Sequence, residues 1–281
     1  MEEKNLLDQV VTGGNELSLD LDRDLGNWDK VHLYFCPHTP MAYVKQQTRH
    51  LCYLIIEPTV ALWQGVVFTD TNATRTRERP HQRGEGVQGL RLVDFEVIRM
   101  TLNQGPQPTN SRWHRNVQAE VLVPHEIPLQ YIKEIAFISE GSLKEGEYLW
   151  GDIPHPPFRV VKGFFSWGIP YLESAVLTDE EVDRDKLEKS FPDKRVFRIR
   201  QGLRIFLLLR LYATANLKGR LIWGSLRERD ILKKEEVEFE KHGMWWCWSA
   251  LPVENLRPGR YKVEFKLGDI HWITIPFVLE A

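Results

Sequence analysis

Glu120 stands inside an apolar run, Asn116-Val-Gln-Ala-Glu-Val-Leu-Val-Pro124, directly after a basic cluster of Arg112, His114 and Arg115. In an extended chain successive side chains alternate, so Val117, Ala119, Val121 and Val123 share one face and Gln118, Glu120 and Leu122 the other. Burying a carboxylate in such a strand is costly unless a donor or a cation meets it. Glu120 is then either a solvated group on a half-exposed strand or a buried functional carboxylate. In the second case the basic cluster would supply its partner or bind an anion. A further basic segment, Arg75, Arg77, Arg79 and Arg83 with His81 among them, contains glycine and lacks apolar periodicity. It reads equally as a solvated loop and as the first contact for a phosphate-bearing substrate.

Other chemistry leaves no trace. There is no P-loop, no strand–GxGxxG–helix unit, no HExxH and no GxSxG. The nine histidines are dispersed without metal-ligand spacing, and His32 and His125 read as structural or surface groups. No metal is expected. Cys36, Cys52 and Cys247 are an odd, scattered set without CxxC spacing, which suits reduced thiols in the cytoplasm. The net charge of -2 offers no global basic field, so any nucleic-acid contact must be local. No apolar run reaches the roughly 20 residues of a membrane span, and the acidic start, Met1 to Asp8, is no signal peptide.

The elements that must position these residues follow from local pattern. Val31–Cys36, His50–Glu57 and Gly65–Asp70 are rich in β formers and read as strands, the middle one apolar enough to be buried on both faces. Pro40 to Gln46 reads as a helix start with Thr39 as its cap. Pro58–Trp63 reads as a short helical turn, Val93–Ile98 as a strand or a helix, and Glu134–Ile138 as a strand. Residues 141–192 carry recurrent Gly and Pro and read as a linker, with one charged helix from Thr178 to Lys189. Beyond Pro192 the pattern is all-β: 195–200, 204–212, 220–224, 235–240, 245–248, 260–265 and 271–279 are candidate strands with turn signals between them. That spacing predicts an immunoglobulin-like antiparallel β-sandwich. Alternation puts Trp246 opposite Cys247, so Trp245, Trp246 and Trp248 cannot all be buried on one face.

Three segments in order, Val31-His-Leu-Tyr-Phe-Cys-Pro-His-Thr-Pro-Met-Ala-Tyr43, Gly65-Val-Val-Phe-Thr-Asp-Thr-Asn-Ala73 and Arg115-Asn-Val-Gln-Ala-Glu-Val-Leu-Val123, resemble the DarT family. Its members are toxins that ADP-ribosylate bases of single-stranded DNA with NAD⁺. The resemblance covers about the first 140 residues. It implies an α+β fold with an ADP-ribosyltransferase-like split β core and short helices over 1–140, ahead of the linker and a sandwich over 193–281. It makes Glu120 the catalytic carboxylate and assigns Tyr34, Phe35, His38, Met41, Tyr43 and Gln118 to NAD⁺. Thr69, Asp70, Asn72, Arg75, Arg77, Arg79, Arg83, Arg112, His114 and Arg115 would then face the nucleic acid. The chain departs from the family in two places. No Tyr-His-Ile-Thr-like segment precedes Val31, and His38 stands where an arginine or similar polar residue is expected.

Breaking the bond between ribose C1′ and nicotinamide passes through an oxocarbenium-like state, which a nearby carboxylate stabilises. The same carboxylate can take a proton from the attacking base. The chain is therefore expected to modify a base in single-stranded DNA or RNA, in a toxin or defence role that needs a regulator. The other reading is a degenerate transferase fold that binds nucleic acid or protein through the basic loop and the sandwich. The sandwich would dock a protein partner; Trp245, Trp246 and Trp248 read first as core packing, with an exposed one of them as the other reading, an anchor.

Overall fold

The computed structural model describes residues 16–42, 51–74, 81–105, 110–165, 170–182, 185, 187, 190–226 and 230–281. The fold is mixed α/β, with many strands and few helices. Two compact units emerge, one of residues 1–40 and 57–131, the other of 41–56 and 132–281.

The first unit is built on a four-stranded sheet in the order β1 (Lys30–Tyr34), β5 (Glu120–Pro124), β3 (Val67–Thr69) and β4 (Arg83–Glu85). All its pairings are antiparallel, with Tyr34 opposite Glu120 and Phe68 opposite Val121. Helix α1 (Glu16–Asp24) precedes β1, and a 3-10 turn at Pro58–Leu62 precedes β3. After β4 come α2 (Gly86–Leu90), α3 (Phe95–Gln104) and α4 (Ser111–Asn116). Asp94 caps α3 by accepting the Val97 N–H, and Asn110 caps α4 by accepting the Arg112 and Trp113 N–H groups. Trp113 is buried, and its indole N–H donates to Thr101 Oγ1 at 2.8 Å, fixing α4 on α3.

These caps revise the stretch around Glu120. Arg112 to Asn116 is helical, and the strand starts only at Glu120. Val117 and Ala119 are fully buried in the connection between them. Leu122 is as buried as Val121 and Val123, so β5 is covered on both faces and is not half-exposed. Val93–Ile98, ambiguous in sequence, resolves into the start of α3.

The second unit holds three sheets. One runs β2 (Tyr53–Ile56), β6 (Ile132–Phe137), β7 (Phe158–Val160). Leu54 is half exposed, so β2 is not buried on both faces as its composition suggested. The other two are β13 (Gly243–Pro252), β10 (Arg204–Ala213), β8 (Tyr171–Thr178) and β12 (Ile231–Phe239), β11 (Leu217–Ser225), β14 (Gly259–Leu267), β15 (Ile270–Glu280), β9 (Val196–Arg198). β9 pairs in parallel on β15, as β7 does on β6. One apolar core is shared by both, with Leu207, Leu209 and Leu211 from one sheet and Trp223, Phe265 and Phe277 from the other. Trp245 packs on that core, while Trp248 is exposed.

The stretch 141–192 is not a plain linker. It contains α5 (Glu140–Trp150), β7 and β8, and β8 is a full member of the sheet through β10. Thr178 ends β8 and does not cap a helix; its hydroxyl accepts the Glu180 N–H at 3.2 Å. Much of the expected charged helix (183, 184, 186, 188 and 189) lies outside the described residues. No helix among the described residues is long and apolar enough to cross a membrane.

Candidate active site around Glu120

Glu120 opens β5 with 1% of its surface exposed. A carboxylate so buried needs its charge met by the protein. Two neighbours on β1 do this. His32 Nδ1 lies 2.7 Å from Glu120 Oε2, and the Tyr34 hydroxyl also hydrogen-bonds the carboxylate. The antiparallel register explains the trio: residues 32 and 34 share a face of β1, and Tyr34 sits opposite Glu120. On the other side, Thr69 Oγ1 accepts the Glu120 backbone N–H at 3.1 Å and donates to the Thr71 carbonyl at 2.6 Å. Both threonines are fully buried, so the start of β5 is fixed in place.

Behind His32 stands a second carboxylate. Asp22 Oδ1, from α1, lies 3.7 Å from His32 Nε2. Burial raises the Asp22 pKa, His32 opposes that rise, and the Glu120 charge adds to it. Burial, followed by the Glu120 charge and hydrogen bond, pushes the Tyr34 phenol well above its usual range, leaving it a neutral donor. His81, before β4, feels Glu120 as well; burial and the Arg83 charge depress its pKa, so it is neutral.

In the basic cluster, Arg112 and Arg115 pair with carboxylates other than Glu120. Arg112 is bonded to Asp94 at 2.7 and 3.0 Å and to Glu96 at 2.9 Å. Burial alone would raise Asp94, but hydrogen bonds from Arg112, Asn116 and the Val97 N–H hold its pKa below the usual carboxylate value. Arg115 bonds Asp70 at 2.8 Å, and the Asp70 carboxylate also accepts the Gln82 N–H at 2.7 Å. His114 packs edge-on against Trp113, and its carbonyl accepts from the Gln118 amide. Asn72 Oδ1 closes a local turn on Thr74. Arg83 reaches the Leu25 carbonyl at 3.3 Å.

Of the residues expected at the NAD⁺ site, Tyr34 touches Glu120. Phe35 packs against Phe68 and Phe95, and His38 is buried. Met41 belongs to the second unit and is half exposed. Tyr43, Arg75, Arg77 and Arg79 lie outside the described residues. The residues that pattern reading missed are His32 and Asp22. His32, read as structural or surface, stands two residues before Tyr34 on a recognisable strand, a spacing that puts both on one face. Asp22 carried no comparable signal. Among the described residues no group of three or more His, Cys, Asp or Glu side chains could hold a metal ion.

The sheet of the first unit thus holds one buried carboxylate between a histidine and a tyrosine. The family model for ssDNA thymidine ADP-ribosyltransferase, DarT, matches residues 8–161, running past residue 140 through β6, α5 and β7. The chain belongs to the DarT family. It is similar to Thermus sp. 2.9 DarT in complex with NAD⁺, at 21% identity and a TM-score of 0.40, over 50% of this chain and 73% of that one. The same Thermus protein in complex with ADP-ribosylated ssDNA gives 21% identity and a TM-score of 0.41, over 50% and 70%. Thermosipho africanus DarTG in complex with ADP-ribose gives 16% and 0.40, over 62% of this chain and 45% of that one. No curated protein matches the chain.

Proposed function

We propose that this chain transfers ADP-ribose from NAD⁺ to a base of single-stranded DNA and that Glu120 is its catalytic carboxylate. The observation that carries this reading is the placement of Glu120. It is 1% exposed, it heads the central strand of the first unit, and it lies within the stretch matched by the family model. In the transfer, the bond from ribose C1′ to the nicotinamide nitrogen breaks and its electron pair leaves with nicotinamide. The Glu120 carboxylate stabilises the positive charge left at C1′. The base nitrogen then bonds C1′, and its proton passes to Glu120 or to water.

Around that centre we assign Tyr34, Phe35, His38, Met41, Tyr43 and Gln118 to NAD⁺. Thr69, Asp70, Asn72, Arg75, Arg77, Arg79, Arg83, Arg112, His114 and Arg115 form the nucleic-acid side. Arg112 and Arg115 would exchange their present carboxylate partners for phosphate, or work by holding the α3–α4 corner in place. The two sheets with a shared core serve, in this reading, as an immunoglobulin-like module that docks a protein partner, an antitoxin or a defence component. The protein would act in the cytoplasm as a toxin or defence enzyme.

The test is incubation with labelled NAD⁺ and single-stranded oligonucleotides, beside Glu120→Ala. Label should enter the oligonucleotide with the natural protein and vanish with the variant. NAD⁺ binding without any transfer, coupled with salt-sensitive oligonucleotide binding, would instead favour a degenerate fold acting as a binding module.

A further inference from the structure

Glu120 has almost no contact with water, so its charge must be met from within the protein. The nearby arginines are engaged elsewhere: Arg112 with Asp94 and Glu96, Arg115 with Asp70, Arg83 with the Leu25 carbonyl. His81 is neutral, because burial and Arg83 depress its pKa. His32 remains. Its imidazole has Glu120 at 2.7 Å on Nδ1 and Asp22 at 3.7 Å on Nε2. Glu120 is within hydrogen-bond distance of Nδ1, and the Asp22 carboxylate faces Nε2 as a charge without a hydrogen bond; carboxylates on both sides of the ring favour the imidazolium.

We propose that His32 is a positioning residue for Glu120: its imidazolium, lying between Asp22 and Glu120, orients the carboxylate for the charge that develops at C1′. This rests on the transferase reading of the site. The groups facing His32 are Glu120 from β5 and Asp22 of α1 with the Asn27 carbonyl after it; Tyr34 lies two residues on along the same face of β1. Burial lowers the His32 pKa, yet the Glu120 hydrogen bond, the Glu120 and Asp22 charges and the Asn27 carbonyl together raise it above 6.5. With His32 and the neutral Tyr34 phenol both donating, the Glu120 carboxylate is fixed in position. Its role is then chiefly electrostatic. As pH rises through the His32 pKa the clamp loses its charge, and turnover falls on the alkaline side.

Two measurements test this. The first follows the His32 imidazole by NMR titration in the full chain and in Glu120→Gln. It should titrate above 6.5 in the natural protein and shift downward in the variant. The second compares pH–rate profiles of His32→Gln and Asp22→Asn with the natural enzyme, using NAD⁺ and a thymidine-containing oligonucleotide. His32→Gln should lower kcat by about 100-fold with little change in KM, the scale expected when a reacting group is misplaced, and should lose the alkaline limb. Asp22→Asn should move that limb to lower pH, because the Asp22 charge is one of the causes that raise the His32 pKa. A His32 that titrates at or below its ordinary value, or is unmoved in Glu120→Gln, overturns the proposal whether or not the protein transfers ADP-ribose. A His32→Gln enzyme with natural kcat and pH profile also overturns it. A natural protein without transfer defeats the transferase reading alone, and the titration still decides the clamp.

Discussion

Glu145 offers a stability effect whose sign and size both follow from its surroundings. It lies on α5 with 5% of its surface exposed, and its Oε2 accepts the Thr274 N–H at 2.6 Å. Burial pushes its pKa from 4.5 up to about 7; the Thr274 N–H opposes the rise and the Glu264 charge adds to it. His271 Nδ1 lies 3.4 Å away, but burial lowers the imidazole's pKa, so at neutral pH it gives no cation to offset the carboxylate. A raised folded pKa means that the native state holds a proton which the unfolded chain releases. Stability is therefore full below 4.5 and is lost as pH climbs to about 7. The slope across that window is about 1.4 kcal/mol per pH unit, and the whole loss is about 3 kcal/mol. Glu145→Gln removes the titration and keeps an acceptor for Thr274. Urea unfolding of both proteins, followed by tryptophan fluorescence from roughly pH 5 to 8, should show the variant gaining on the natural chain as pH rises. A difference that stays flat with pH, or a natural chain that gains instead, would refute the reasoning.

Two packing changes give sharper local effects. Gly89→Ala would place a Cβ 2.0 Å from the Gly84 carbonyl oxygen, a backbone atom that cannot swing aside. The first unit should lose roughly 1 to 3 kcal/mol, the usual scale of overpacking, and an unchanged Tm would contradict that. Trp113→Phe removes the indole N–H donated to Thr101 Oγ1 and loosens α4 on α3. The expected loss is about 1 to 2 kcal/mol, read from urea midpoints, with transfer activity reduced at the same time.

Much of this fold was legible because strands announce themselves by alternation. All seven strands expected beyond Pro192 are present, most of them longer than their apolar kernels: 204–212 grew to Arg204–Ala213 and 260–265 to Gly259–Leu267. The errors fell where one residue type has two physical uses. Gly141 and Gly146 read as breakers, yet both lie inside α5. A Cβ at Gly141 would meet the Leu172 carbonyl oxygen at 2.6 Å, and one at Gly146 the Phe137 ring at 2.5 Å. They are there for close packing. β8 was lost in the presumed linker because Ser174 and Glu173 dilute its apolar positions, although Leu172, Ala175 and Leu177 are fully buried. At the site, Glu120 was legible from its odd placement and its match to a family motif. Its partner was not, since His32 lies 88 residues away in sequence and only the strand register brings the two together. The nearer arginines were the obvious choice, but carboxylates of their own at Asp94, Glu96 and Asp70 claim them.

The central claim is that Glu120 drives ADP-ribosyl transfer to a DNA base. The most direct measurement is mass spectrometry of a thymidine-containing single-stranded oligonucleotide after incubation with NAD⁺ and either the natural protein or Glu120→Gln. This substitution keeps the side chain's shape and removes its charge. One ADP-ribose is expected on a base with the natural protein and none with the variant. An oligonucleotide modified equally by both, or modified only on its backbone or ends, would contradict it.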